Sequence, residues 1–281
     1  QTAVRLGIDL GGVQPAHPDS PIDRADVERH VRERLADAPT TEVRAARAPA
    51  GHGEAPLLQE PTQRIPLTGM RGRIADRMHA SLSEMAQLTL TMDASMDAVV
   101  AHRSTFEGAT RPGYTDYVIA AAARALREHP VINSQIADGA VNLLGEINVG
   151  VAVALDGGLV VPVLHRADQL DFEELCSRTT GLAAAARGGA LAMADIEGGT
   201  FSVTALGMYG VDAFTPVINP PNTAILGVGR LRDDIRWVDD NPIRSKTLTL
   251  SLTWDHRAYD GAPAAEFTAA VRDHLERWPS T

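Results

Sequence analysis

Lysine and cysteine are almost missing from this chain, and each scarcity closes off chemistry. Of 281 residues one is cysteine, so an internal disulfide is impossible, and no Cys/His cluster has the spacing of zinc ligands. A Schiff base or a lysine-linked swinging cofactor would have to use Lys246, the only lysine, which stands just before the strand-like run 247–253 in a polar segment. Long apolar runs are missing too. No stretch of about 18 apolar residues and no charged-then-apolar leader occurs, so neither membrane spanning nor secretion is supported; the start at Gln1 leaves a removed leader open. Positive charge is outnumbered, 26 basic residues against 36 acidic for a net charge of -10, whereas nucleic-acid phosphates call for clustered positive charge. No Gly-x-Gly-x-x-Gly follows a strand and opens a helix, which leaves a dinucleotide fold without support. The expectations are a reducing, cytoplasmic location, no metal, no nucleic acid and no membrane.

What is present is a globular composition, 44% hydrophobic, enough for one large domain and a small appendage. Residues 37–62 run through Ala, Pro, Gly and Arg with few large apolar side chains and read as a linker. Before it, residues 1–36 carry Leu6, Ile8, Leu10 and Val13, then a Pro-rich turn and a helix started by Asp23 or Asp26. After it, helical spacing over 71–83 leads into an alternating strand at 88–92. An alanine-rich helix follows at 117–128, ended by His129-Pro130. Apolar strands at 147–154 and 159–164 flank Asp156-Gly157-Gly158 as a hairpin. A helix at 171–187 stops at Gly188-Gly189; strands at 199–206, 224–229 and 248–253 and a helix at 263–277 complete the order. Strands and helices mix without strict alternation, which predicts an α/β fold on a mixed sheet. Cys176 falls in an amphipathic helical stretch and is expected in the core.

The stretch Thr253-Trp254-Asp255-His256-Arg257-Ala258-Tyr259-Asp260-Gly261 sets a histidine and a carboxylate four residues apart just after a strand. Imidazole titrates near neutrality, so His256 can take a proton from a thiol or hydroxyl without carrying a permanent charge. Asp260 can orient it or fix a nearby cation. By itself this spacing also fits a strand-end histidine bonded into a turn.

Further blocks surround it: Gly198-Gly199-Thr200-Phe201-Ser202-Val203-Thr204-Ala205-Leu206-Gly207-Met208-Tyr209-Gly210, Phe214 to Pro221, and Ala224-Ile225-Leu226-Gly227-Val228-Gly229. In order and spacing these blocks resemble the catalytic domain of the dihydrolipoamide acyltransferases, core components of 2-oxo acid dehydrogenase complexes, over residues 64–278. Ile65-Pro66-Leu67, Met70-Arg71, Ile74 to Met78, His129-Pro130 with Asn133, and Gly158 to Val163 add to the match.

The resemblance implies a fold similar to chloramphenicol acetyltransferase over residues 63–281, assembled as a homotrimer with active sites at subunit interfaces. Such trimers build up to 24-mer or 60-mer cores that work with a 2-oxo acid decarboxylase and dihydrolipoamide dehydrogenase. It implies CoA as a substrate and a lipoyl group, carried on a domain absent from this chain, as the other. By resemblance His256 is the general base on the attacking thiol, and the Thr204 hydroxyl meets the tetrahedral oxyanion from a neighbouring subunit. Asp260 resembles an aspartate that pairs with an arginine and organises the loop, here Arg71, with Arg73 and Arg77 as alternatives. Asn219-Pro220-Pro221 reads as a rigid turn that shapes the loop after Thr204 and takes no part in the chemistry.

Residues 1–36 resemble a peripheral-subunit-binding domain in part. The first helix is nearly absent, and Pro15 to Pro21 replaces the usual glycine-rich, arginine-containing loop. Lipoyl attachment needs a lysine in an upstream hairpin turn, and none stands there. Either that domain has been cut off, as the start at Gln1 favours, or a separate protein supplies it. Two other readings stay open at this point: a free-standing chloramphenicol acetyltransferase-like enzyme acting on a small acceptor, and an oligomeric scaffold with weak catalysis. The acyl group, whether acetyl, succinyl or branched, is equally open.

Overall fold

The computed structural model describes residues 13–16, 21–37, 59–108, 111–155 and 158–279, and the chain divides into two compact units, Gln1–Arg64 and Ile65–Thr281. In the first unit the described residues form one helix, α1 (Arg24–Asp37), entered through a reciprocal cap. The Asp26 N–H donates to Asp23 Oδ1 at 2.9 Å, and the Asp23 N–H donates to Asp26 Oδ2 at 3.1 Å. Asp23 is therefore the residue that starts the helix. Val13 and Val27 form its small apolar cluster. The run holding Leu6, Ile8 and Leu10, and the linker residues 38–58, lie outside the described residues.

The second unit runs, in chain order, through α2 (Gly69–Glu84), β1 (Gln87–Ser95), α3 (Asp97–Arg103), α4 (Tyr114–Glu128), β2 (Ser134–Ala137), β3 (Ala140–Leu143), β4 (Val149–Val151), β5 (Val153–Leu155), β6 (Gly158–Val160), β7 (Val163–Leu164), α5 (Phe172–Gly188), β8 (Phe201–Ala205), β9 (Ala224–Val228), β10 (Arg232–Val238), β11 (Asn241–Asp255) and α6 (Gly261–Glu276). The main sheet has the order β1-β11-β9-β8-β4-β7, with β10 paired to β11 off that path. β8 runs parallel to β4 and β9 while the other ladders are antiparallel, so the sheet is mixed, as expected.

Period-2 alternation decides which face of the sheet is dry. Along β11, Leu248, Leu250, Leu252 and Trp254 join the main core, together with Phe201 and Val203 of β8 and Leu226 of β9. Each such side chain contributes roughly 1.5–3 kcal/mol when fully buried. The helices α4 and α6 pack together, and α6 lies against β1 and β11. Buried Ala120, Ala121, Ala122, Ala123 and Ala125 give α4 a thin profile for that contact. The other face of the sheet is polar: Thr247, Thr249, Ser251 and Thr253 from β11, Ser202 and Thr204 from β8, with Gly227 between them.

Most expected elements form where the pattern puts them. α5 begins at Asp171, whose carboxylate accepts the Glu174 N–H at 2.8 Å, and stops at Gly189 with φ 66°. The 147–164 hairpin exists but is split, β4 pairing with β7 inside the main sheet and β5 with β6 in a two-stranded one. Its turn residues 156 and 157 lie outside the described residues. Three features go beyond expectation: the short helix α3, the β2–β3 hairpin, turned through Asp138 (φ 52°) and Gly139 (φ 72°), and β10. β11 starts at Asn241, so Lys246 sits inside a strand instead of before one, with Nζ 2.8 Å from Asp233 Oδ1. Cys176 packs against the core, and burial pushes its thiol up to about 12, which suits an unreactive thiol.

Candidate active site

β11 delivers His256 directly after its last residue, and a polar lock fixes the point of exit. Asp255 is fully buried, and its carboxylate accepts the Ala86 N–H at 3.2 Å and the Arg257 N–H at 3.1 Å. The Arg257 guanidinium adds a two-point contact, Nε to Oδ1 at 3.0 Å and Nη2 to Oδ2 at 2.6 Å. Burial alone would raise the Asp255 pKa, but these donors outweigh it and hold the group below the usual carboxylate range. The backbone is tied at the same place: Asp255 N–H donates to Thr223 O at 2.9 Å and His256 N–H to Ala86 O at 2.9 Å. The chain that leaves β11 is therefore joined to the chain that enters β1.

The imidazole of His256 tilts over the Trp254 indole, ring centres 5.8 Å apart, and Nδ1 lies 3.6 Å from Asp260 Oδ1. Its side chain is 41% exposed, so the opposite nitrogen, Nε2, is the one left for a substrate. Trp254 is held in turn, its Nε1 donating to Tyr259 O at 3.1 Å. Tyr259 is buried, which pushes its phenol well above its ordinary pKa and keeps it neutral.

The expected ion pair between Asp260 and Arg71 does not form within the chain. The Asp260 side chain is 90% exposed and its only ion pair among the described residues is with His256. Arg71 and Arg73 are exposed on α2 and make no ion pair among the described residues. Arg77 donates instead to Pro220 O, and Asn222 N–H closes onto Asn219 O at 3.2 Å, so the Asn219-Pro220-Pro221 segment is a turn pinned to α2. The reason is where the two segments come to rest: on α2 it is Arg77 that reaches across, to the Pro220 carbonyl, while the Asp260 side chain projects into solvent. The loop after β11 folds back on itself over four residues, and the charge within its reach is its own histidine.

Thr204 lies on β8, on the polar face of the sheet, two ladders away from β11: it pairs with Gly227, and Gly227 pairs with Ser251. His256 is five residues beyond Ser251, which separates the two by roughly 16 Å along the strands and about 10 Å across them. One acyl carbon cannot touch both groups of a single chain. Beside Thr204, a Cβ at Gly207 would meet Gly229 O at 2.7 Å, and one at Gly229 would overlap the Asp212 carbonyl oxygen. The loop after β8 thus lies flat on the turn after β9 because both lack side chains. Further along the same face, a cavity of about 250 Å³ is lined by Arg77, Ser202, Asn219 and Asn222 among others, without Thr204 or His256.

Sequence reasoning missed Asp255, Arg257 and Trp254 as parts of the site. Their signal was their position beside His256. A buried carboxylate becomes visible only once Ala86 and Thr223 are brought to it by the sheet.

A strand-end imidazole with one nitrogen facing a carboxylate, and a hydroxyl-bearing strand in the same sheet, is equipped to move a proton and to meet an oxyanion, the two needs of acyl transfer. Residues 59–281 match the family described as 2-oxoacid dehydrogenases acyltransferase (catalytic domain), and the chain belongs to that family. It is 37% identical over 280 residues to the dihydrolipoyllysine-residue acetyltransferase component of the acetoin cleaving system of Bacillus subtilis, covering 98% of this chain and 67% of that protein. It is 33% identical over 221 residues to the dihydrolipoyllysine-residue succinyltransferase component of the 2-oxoglutarate dehydrogenase complex of Pseudomonas aeruginosa, covering 76% of this chain and 54% of that one. The chain therefore spans between about half and two thirds of the length of these relatives. The fold is similar to that of the Azotobacter vinelandii dihydrolipoamide acetyltransferase, with a TM-score of 0.74 at 28% identity over 79% of this chain and 98% of the other. That structure concerns the role of a serine, a histidine and an asparagine in the mechanism. The serine precedes the histidine by 52 residues and the asparagine follows it by four, the spacing of Thr204, His256 and Asp260 here (256 − 204 = 52; 260 − 256 = 4).

Proposed function

We propose that this chain moves an acyl group between the thiol of dihydrolipoamide, borne on a lipoyl domain, and the thiol of CoA, as the core component of a 2-oxo acid dehydrogenase complex. The observation that carries this reading is the His256 imidazole, half exposed at the end of β11 with Nδ1 facing Asp260. In the forward step Nε2 of His256 takes the proton of the attacking thiol. The thiolate adds to the thioester carbonyl and leaves a tetrahedral oxyanion. The Thr204 hydroxyl of a neighbouring copy donates to that oxyanion; collapse then expels the second thiolate, which recovers the proton from His256. Asp260 faces the imidazolium formed midway.

Two differences from the related Azotobacter enzyme bear on this chemistry. A threonine stands at the serine spacing, which keeps the hydroxyl, and an aspartate stands at the asparagine spacing, which adds a charge beside the imidazole. Because Thr204 and His256 of one chain are too far apart to share a substrate, the active form in this reading is a homotrimer, built into a larger core that serves a decarboxylase and a dihydrolipoamide dehydrogenase. Residues 1–36 are read as a reduced partner-binding module. Both acyl carriers are thiols when unloaded, which suits a reducing, cytoplasmic compartment. The relatives named above are components of such systems, which favours this reading over a free-standing enzyme or an inert scaffold.

The test is His256→Ala, assayed for acetyl transfer from acetyl-CoA to dihydrolipoamide. A fall in kcat of about 10³-fold is expected, within the range for loss of a general base. Full transfer by a folded variant would sink the proposal.

A further inference from the structure

Three segments converge at the root of His256, and one side-chain amide joins them. Arg77 and Ser81 stand four residues apart on α2 and so share a face of it. Both reach the segment that follows β8: Arg77 donates to Pro220 O, and Ser81 Oγ donates to Ile218 O at 2.6 Å. Gln87, the first residue of β1, completes the junction. Its Oε1 accepts the Ile218 N–H at 3.2 Å, and its Nε2 donates to Ser81 Oγ at 2.8 Å and to Ser81 O at 3.2 Å. The Ser81 hydroxyl, the Ile218 backbone and the Gln87 amide thus form a closed ring of hydrogen bonds, with Ser81 and Ile218 buried. A primary amide is what this ring demands. It accepts from a buried N–H on one side and donates to a hydroxyl and a carbonyl on the other, whereas an ionised carboxylate has no proton to give.

The ring matters because of what lies next to it in the chain. Gln87 follows Ala86, whose carbonyl takes the His256 N–H and whose own N–H serves the Asp255 carboxylate. Ile218 leads through the turn to Thr223, whose carbonyl takes the Asp255 N–H. Residues 255 and 256 are therefore held from two sides, and the Gln87 amide fastens the two holders to each other.

We propose that Gln87 is a positioning residue for His256. It touches no reacting atom and acts through Ala86 and Thr223, setting the direction in which the imidazole leaves β11. The His256 side chain is half exposed and rests on the Trp254 ring, so the direction of the backbone decides where Nε2 points. This deepens the acyl-transfer reading above and rests on it for its catalytic consequence.

Gln87→Met keeps the length and bulk of the side chain and removes both amide functions. With acetyl-CoA and dihydrolipoamide, kcat is expected to fall about 10-fold, as for a misplaced catalytic group. KM should change less than about twofold, because no substrate contact is lost. The carbon-bound ring proton signal of His256 in a ¹H–¹³C spectrum, assigned by its disappearance in His256→Ala, is expected to move. Ser81→Ala opens the same ring by a smaller change and carries the test should the methionine variant fail to fold by circular dichroism. The double variant should lose no more than the worse single one, since both act through one ring. Val99→Ala, buried in α3 beyond the far end of β1, is the control: it lowers the melting temperature and leaves kcat and the His256 signal unchanged.

The proposal is overturned if the His256 signal stays in place in the folded ring variants, if their kcat matches that of the unaltered protein, if their losses add, or if Val99→Ala moves the signal equally. The signal is read without any assay of acyl transfer. An unaltered chain that moves no acyl group would refute the enzymatic reading, and the signal would still decide whether Gln87 positions His256.

Discussion

The two ends of the main sheet are stabilised by opposite means. Where β11 gives way to His256, Asp255 is buried among the N–H groups of Ala86 and Arg257 and the Arg257 guanidinium, so a charge and its donors decide the path of the chain. Where β8 presents Thr204, the decisive residues are Gly207 and Gly229, which let the Asp212 segment and the turn after β9 approach without a Cβ between them. The first end positions a base whose orientation matters; the second positions a hydroxyl on a rigid strand and keeps the surface beside it open. A base must be aimed, whereas a strand threonine is aimed by the pleat of the sheet. That difference teaches where each end is vulnerable: the histidine end to loss of charge, the threonine end to added volume.

The sharpest way to break this contrast is at Thr204. Thr204→Val keeps the shape and the β-branch and removes only the hydroxyl, so kcat for acyl transfer is expected to fall about 10²–10³-fold with the melting temperature nearly unchanged. Thr204→Ser should retain most of the activity. Equal activity in the valine and serine variants would remove Thr204 from the chemistry and leave the threonine end a packing feature. Next in size is Gly229→Ala, where the added methyl overlaps the Asp212 carbonyl and lies 3.2 Å from Thr249 O, backbone on both sides. A destabilisation of about 3 kcal/mol in urea unfolding is expected, at the upper end of overpacking costs because no flexible side chain can yield.

How far these features could be read beforehand follows the same division. The alternation of β11 and the positions of His256, Asp260 and Thr204 were legible because they are local: period 2, a strand end, a block of motif residues. The partner of Asp260 was not, because an ion pair across α2 and the post-β11 loop depends on where two distant segments come to rest, and the loop's own histidine was nearer than Arg71. Asp255 was passed over for a related reason. In the sequence it is one more acid among 36, and its burial arises from β1 and the 219–223 turn converging on it. β10 escaped because Arg232-Asp233-Asp234-Ile235-Arg236-Trp237-Val238 has no face turned to a core, and its alternation is confined to Ile235 and Trp237, too short to mark a strand.

The smallest expected effect tests the histidine end, through Asp255→Asn. The substitution keeps the shape and leaves Arg257 without its counter-charge; because the Arg257 side chain is 47% exposed it can turn to water. The cost is therefore expected at about 2 kcal/mol, below the 3–5 kcal/mol typical of a wholly buried pair. The pH dependence separates charge from packing. Asp255 has a folded pKa below its ordinary value, so the stability it contributes is present above the unfolded carboxylate pKa and disappears as the pH falls through the folded one. The gap between the native protein and Asp255→Asn should then be full at pH 7 and narrow progressively below about pH 4. A gap that stays constant down to pH 3 would mean that the lock at the His256 end acts through hydrogen-bond geometry and shape, as the threonine end does, and the contrast between the two ends would lose its electrostatic half.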